Sequence, residues 1–239
     1  NLNRALTLLT RVAGGRTPLP ILSNILLKAE KNTLQLSATN LEVAITHTLG
    51  GKIDEEGSVT IPARLLHDFV AQLPKELTVE LIFEENKVFI SAGSYKSHIQ
   101  GLAADEFPAL PSLAKTKSVV VDSLTLKNAL DKTMLAASSD ETRPVLGGIY
   151  FHTSAGKLYI AATDGYRLAE TEVAEVAEEI SAIVPTSALQ DVLRMIQDGA
   201  AELSLQFEEG QFGVVTEDTT LVSRLVDGQY PEYRQLIPA

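Results

Sequence analysis

The chain has 239 residues, no cysteine, 45% hydrophobic and 21% charged residues, and a formal net charge of −11. That length supports two ordinary domains with proper cores, and the lack of cysteine removes disulfides and thiolate chemistry together. No apolar run reaches the ~20 residues of a bilayer-spanning helix, and with no basic-then-apolar leader after Asn1 the sequence reads as cytoplasmic.

Residues 2–12 read as a helix, with Leu2, Leu6, Leu9 and Ala13 on one stripe and Arg4 and Arg11 on another. Gly14-Gly15 ends it, and Arg16-Thr17-Pro18-Leu19-Pro20 is a stiff loop because each proline fixes its φ. Strands are expected at about 21–28, 33–38, 42–49 and 58–61. Pro62 opens a helix over about 63–73, where its missing N–H costs nothing. Strands at about 77–83, 87–92 and 95–102 follow, and Phe107-Pro108-Ala109-Leu110-Pro111 closes the unit.

The same order then restarts. Val119-Val120-Val121 is a strand, and about 124–137 is a helix with Leu126, Leu130 and Met134 as its stripe. Strands run over Leu146 to Phe151, Leu158 to Ala162 and Arg167 to Val173. Pro185 opens a helix bearing Leu189, Val192, Leu193 and Ile196. Strands at about 201–207, 211–215 and 219–226 precede Tyr230-Pro231-Glu232-Tyr233.

Aligning the halves makes a repeat explicit. Ala5-Leu6 matches Ala129-Leu130, Ala38-Thr39-Asn40 matches Ala162-Thr163-Asp164, and Phe83-Glu84-Glu85 matches Phe207-Glu208-Glu209, all at an offset of 124. Pro62 matches Pro185 and Phe107-Pro108 matches Tyr230-Pro231 at 123. Two copies of one domain are therefore expected, at 1–115 and 116–239, with a helix-then-strands symmetry inside each. Copy two opens with a strand before its helix and copy one does not, so Asn1 reads as a start that has lost one edge strand.

Little in the chain carries catalytic chemistry. His47, His67, His98 and His152 are scattered without ligand spacing, and no Gly-rich phosphate loop, nucleophile elbow or His-Glu-x-x-His helix occurs. No catalytic residue, metal ligand or cofactor is assigned. The acid pairs Glu55-Glu56, Glu84-Glu85, Glu178-Glu179 and Glu208-Glu209 fall mostly in expected turns, where solvated charge is the simpler reading. Arg4, Arg11, Arg64, Lys127, Lys132 and Arg194 fall in or beside helices. Helix surfaces normally carry such charges, but in a duplicated unit they would form a stripe that holds phosphates loosely and without sequence preference.

One stretch stands out, Ala162-Thr163-Asp164-Gly165-Tyr166-Arg167-Leu168, a strand end and a tight turn. The turn sets a fork-shaped cation beside an aliphatic side chain, which suits the wall of a groove that reads a short peptide. On spacing alone the simpler reading is an ordinary hairpin with an exposed arginine.

Four motifs together resemble the bacterial sliding clamp family, the beta subunits of DNA polymerase III. They are Arg16-Thr17-Pro18-Leu19-Pro20-Ile21-Leu22, Asp140-Glu141-Thr142-Arg143-Pro144-Val145-Leu146, Ala162 to Leu168, and Val226-Asp227-Gly228-Gln229-Tyr230-Pro231-Glu232-Tyr233. The resemblance covers essentially the whole chain. It implies an α+β duplicated DNA-clamp fold, each domain two helices packed on curved antiparallel sheets with internal pseudo-twofold symmetry. It further implies a non-catalytic processivity factor whose ring encircles double-stranded DNA without regard to sequence. Three such domains make a subunit and two subunits close the ring as a homodimer, so this chain would carry the first two domains and would not close a ring alone.

On that resemblance the DNA contacts fall on Arg16, Arg143, Arg4, Arg11 and Lys127. A cleft that takes short peptide motifs from the replicative polymerase, clamp loader and repair proteins maps to Leu146, Thr163, Gly165, Tyr166, Arg167, Leu168, Pro231 and Leu236. The sequence departs from the family pattern at Pro144 and Val145, where many members carry aromatic residues, and at Gln235, where some carry arginine. Three other readings stay open. A two-domain clamp that trimerises would also fit the length, an enzyme would need a nucleophile and base converging on the Thr163–Arg167 turn, and a peptide module unrelated to DNA would show no salt-dependent DNA affinity.

Overall fold

The computed structural model describes residues 1–14, 19–85, 87–113 and 117–236. They group into two units, Asn1–Ser112 with Glu217–Leu221, and Leu113–Thr216 with Val222–Ala239. No described helix is long and apolar enough to cross a membrane.

Unit one begins with α1 (Leu2–Ala13), which buries Ala5, Leu6, Leu8, Leu9, Val12 and Ala13 and leaves Arg4 and Arg11 exposed. A 3-10 turn, Pro20–Ser23, occupies the first part of the expected strand at 21–28. Proline at its first position is pre-set for such a turn, and Leu22 N–H closes it on the Leu19 carbonyl at 3.1 Å. Strands β1 (Asn24–Glu30), β2 (Thr33–Thr39), β3 (Val43–Gly50) and β4 (Gly57–Pro62) follow, then α2 (Ala63–Ala71). Strands β5 (Glu80–Glu84), β6 (Lys87–Ala92) and β7 (Tyr95–Gln100) complete the unit. The strands pair antiparallel in the orders β4-β1-β2-β3 and β5-β6-β7.

Unit two contains β8 (Lys117–Asp122), α3 (Ser123–Thr133), β9 (Gly148–Ser154), β10 (Lys157–Thr163), β11 (Leu168–Glu175) and β12 (Ser181–Pro185), then α4 (Thr186–Gln197), β13 (Glu202–Glu208), β14 (Gln211–Val215) and, from Val222 on, β15 (Thr219–Arg224). The orders are β11-β10-β9-β12 and β15-β14-β13-β8. Asp122 caps α3 by accepting the Thr125 N–H at 2.8 Å, and that bond holds its carboxyl below the ordinary range. The helix ends at Thr133 and not near 137, because Met134–Ala136 tightens into a 3-10 turn.

The strand β12 is absent from the sequence reading, although its counterpart β4 was expected before Pro62. Ser181-Ala182-Ile183-Val184 is short and follows the acidic run Glu178-Glu179, which hid it. Its role is to bridge the halves of the unit. β12, which precedes α4, pairs with β9, while β8, which precedes α3, pairs with β13. Each half thus lends its first strand to the sheet of the other. In unit one β4 pairs with β1 in the same way, and β5 pairs only with β6 among the described residues.

Alternation along these strands sends one face inward. Ile149, Phe151, Leu158, Ile160, Leu203, Leu205, Phe212 and Val214 are all fully buried, and α3 and α4 add Leu126, Leu130, Leu189 and Val192. Phe151 of one sheet meets Phe207 and Phe212 of the other with ring centroids 5.6 Å apart in each case. Phe151→Ala is expected to cost unit two ~3–5 kcal/mol through lost burial and the cavity left behind. Urea unfolding followed by far-UV circular dichroism checks this, and a loss below about 1 kcal/mol would contradict the packing described.

Candidate functional site

The face of β9, β10 and β11 turned away from the core carries Tyr150 and His152, Tyr159, Ala161 and Thr163, and Leu168 and Glu170. A sheet face bearing this many aromatic rings needs cover, and the C-terminal segment of unit two supplies it. Val226 N–H donates to the Ile183 carbonyl at 2.8 Å, and Tyr230 and Tyr233 are buried with Ala161 and Ile183. Val145, Leu146, Tyr150, Leu168 and Val226 pack around this cluster half-buried, leaving an apolar surface with a wet side.

The turn beside it is rigid for local reasons. Asp164 Oδ1 accepts the N–H groups of Tyr166 at 2.9 Å and Arg167 at 3.0 Å, while Oδ2 accepts Arg167 Nε at 2.9 Å. Those backbone bonds, the Tyr166 one foremost, hold the Asp164 carboxyl below its ordinary range. Thr163 Oγ1 donates to the Arg167 carbonyl at 2.7 Å and accepts the Gly165 N–H at 3.1 Å. Gly165 has φ 93°, a conformation costly for any residue with a Cβ. The result is an arginine whose side chain is still 64% exposed but fixed in direction next to Leu168.

Of the residues expected at a peptide cleft, Leu146 and Leu168 pack on the same cluster, and Thr163, Gly165 and Arg167 form the turn at its edge. Pro231 is exposed, and its carbonyl accepts the Tyr233 N–H at 2.8 Å. Tyr166 is 99% exposed. Leu236 ends the last 3-10 turn, Tyr233–Leu236, and its side chain lies outside the described residues. Sequence reasoning missed Tyr150, Val226, Tyr230 and Tyr233 as builders of this surface. Tyr230 and Tyr233 stood in a quoted motif, and that clustering of aromatic residues was the available signal.

Two polar networks lie beneath. Thr163 N–H donates to Tyr230 Oη at 2.9 Å, so the turn hangs from a buried phenol whose titration burial pushes upward. Farther along the face, His152 Nε2 and Tyr233 Oη are 2.6 Å apart, and Arg234 bonds Glu170 at 2.7 Å and Ser154 at 2.5 Å. Burial, then the Arg234 charge, depress the His152 titration, which favours the neutral ring. Burial likewise pushes the Tyr233 phenol well up.

The residues expected at DNA are separately placed. Arg4 and Arg11 are exposed on α1, a helix without an acidic residue. Lys127 on α3 pairs with Asp131 at 2.6 Å. Arg143 lies in the turn before β9, 64% exposed and 3.9 Å from Asp140. Arg16 lies outside the described residues. The four helices carry Arg4, Arg11, Arg64, Lys127, Lys132 and Arg194 against only Asp68, Asp131 and Asp191. The chain as a whole has 20 Lys and Arg against 31 Asp and Glu, so the helices reverse its charge balance. Among the described residues, no three or more His, Cys, Asp or Glu side chains converge to hold a metal ion.

Comparison with known proteins places this arrangement. Residues 1–111 match the family described as DNA polymerase III beta subunit, N-terminal domain, and residues 120–232 match its central domain. A beta sliding clamp from Synechococcus elongatus is 36% identical over 99% of this chain and 65% of its own length. One from Synechocystis is 33% identical over 100% of this chain and 67% of its own. The crystal structure of a sliding clamp from Bartonella birtlesii bound to griselimycin superposes with a TM-score of 0.93 at 31% identity, over 99% of this chain and 66% of that one. The chain thus spans about two thirds of the length of these relatives. Similar along its whole length in sequence and in fold, the chain belongs to the bacterial beta sliding clamp family.

Proposed function

We propose that the chain works as part of a DNA polymerase processivity factor, a non-catalytic ring that encircles duplex DNA and tethers the enzymes that act on it. Residues 1–115 and 116–239 serve as the first and second clamp domains of a three-domain subunit, two of which close the ring. The observation that carries this reading is the match to solved clamps across both units at once, with a TM-score of 0.93. A topological link keeps a partner attached while loose phosphate contacts permit sliding, and the cationic helices of an otherwise acidic chain suit that task. Arg4, Arg11, Arg16, Lys127 and Arg143 make those contacts.

The polymerase, clamp loader and repair proteins dock by short peptide motifs on the apolar surface of unit two. Leu146, Leu168 and Pro231 take aliphatic or aromatic side chains, and Arg167, directed by Asp164, takes a polar or anionic group. The griselimycin complex of the Bartonella clamp supplies a probe.

Two outcomes test the proposal. Arg11→Ala and Arg143→Ala should each weaken duplex binding and lower the slope of log affinity against log salt by about one. Fluorescence anisotropy with a labelled duplex reads this, and unchanged slopes would remove both residues from the DNA face. Leu168→Asp should weaken griselimycin binding by more than about tenfold in calorimetry, since it buries a charge in an apolar contact. Equal affinity would place the docking surface elsewhere.

A further inference from the structure

The rings on the outer face of unit two form a continuous column. Tyr230 stacks on Tyr150 at 4.9 Å and 10°, Tyr150 on His152 at 4.9 Å and 23°, and His152 on Tyr159 at 5.8 Å and 16°. The Arg234 guanidinium caps the far end, 5.1 Å from the centre of the Tyr159 ring. Sheet geometry builds the middle of this column. Tyr150 and His152 are two apart on β9, and Tyr159 is the direct cross-strand partner of His152 on β10. Tyr230 and Arg234 come from the C-terminal segment, four residues apart, so that segment grips the column at both ends.

We propose that this column, from Arg234 through Tyr159, His152 and Tyr150 to Tyr230, positions the Thr163–Arg167 turn by setting where the Tyr230 hydroxyl meets the Thr163 amide. His152, Tyr233, Glu170 and Arg234 are then positioning residues for the docking surface, His152 and Tyr233 being buried beneath it. The argument is one of constraint. Tyr230 has no freedom to shift along the face, because Tyr150 stacks on one side and Tyr233 meets its edge at 6.2 Å and 86°. Tyr233 is itself tied to His152, and the next residue, Arg234, is tied to Glu170 and Ser154. Any slip of the C-terminal segment must break these bonds together, and while they hold, the Thr163 N–H has a fixed acceptor. Thr163 Oγ1 in turn holds the Arg167 carbonyl and the Gly165 amide, so the direction of Arg167 follows.

The column rests on the docking reading only for its consequence, and the test separates the two. The probe variants are Tyr233→Phe, which removes one hydroxyl and keeps the ring, and Arg234→Gln, which removes the cap and leaves Tyr233 in place. In the 15N-labelled chain, hydrogen exchange at the Thr163 amide should rise about fivefold or more in both variants, the effect of loosening one hydrogen bond. The Leu205 amide, in the core of the same unit, should exchange as before, which a general loss of that unit's stability would not allow. Griselimycin affinity should fall about threefold to tenfold in the same variants, and Glu172→Gln, which breaks only a surface pair with Lys157, should change neither reading. Thr163 exchange unchanged in two folded variants would overturn the column, whatever griselimycin does. Failure of the unaltered chain to bind griselimycin, with Thr163 loosened as expected, would overturn the docking reading and leave the column standing.

Discussion

The structure depends on the exchange of strands between the two halves of unit two, of which unit one shows one side in the pairing of β4 with β1. A half consisting of a strand, a helix and three more strands cannot close its own sheet, because the first strand pairs away from the helix that follows it. In unit two β8 completes the sheet of β13 to β15, and β12 completes that of β9 to β11. Both helices can then lie together on the inner faces, and Phe151 locks its sheet to Phe207 and Phe212 of the other through contacts that neither half could make alone. The outer faces are left to be used. A scaffold fixed in this way by many long-range pairings can carry function on its surface without a buried active site.

Two kinds of surface result, with opposite physical demands. The helices present cations where the rest of the chain is acidic, and α1 carries Arg4 and Arg11 on a helix whose own sequence has no acidic residue. The phosphate contacts we propose for them would gain from counterion release and demand no exact geometry, as sliding would require. The outer face of β9 to β11 is the reverse, apolar and geometrically defined. There Asp164 does double work, capping the turn with its backbone bonds and aiming Arg167 with its second oxygen. An arginine aimed in advance loses less entropy on binding than a free one.

Much of this was legible in the sequence, for reasons that differ by element. The repeat at offsets of 124 and 123 gave the duplication, and α1, β6 and β14 lie where apolar spacing put them. Leu158, Ile160 and Ala162 are fully buried, as their alternation implied. The errors came where local signals competed. Pro20 starts a 3-10 turn that takes over the first residues of an expected strand, and Met134-Leu135-Ala136 tightens although its composition suits a longer helix. β12 was hidden by its acidic neighbours, and only the repeat could have restored it. The aromatic column was illegible for a simpler reason. Tyr150, His152 and Tyr159 occupy the positions that alternate with the core residues, which a search for buried stripes reads as the polar side of the strand.

The central claim is the proposal that short peptide motifs of protein partners dock on the outer face of unit two. Titration of the 15N-labelled chain with griselimycin, followed by two-dimensional NMR, tests it most directly. The account predicts shift changes concentrated at Leu146, at Thr163 through Leu168 and near Val226 and Tyr233, with unit one undisturbed. Changes centred on α1, α2 or the sheet of β5 to β7 would contradict it.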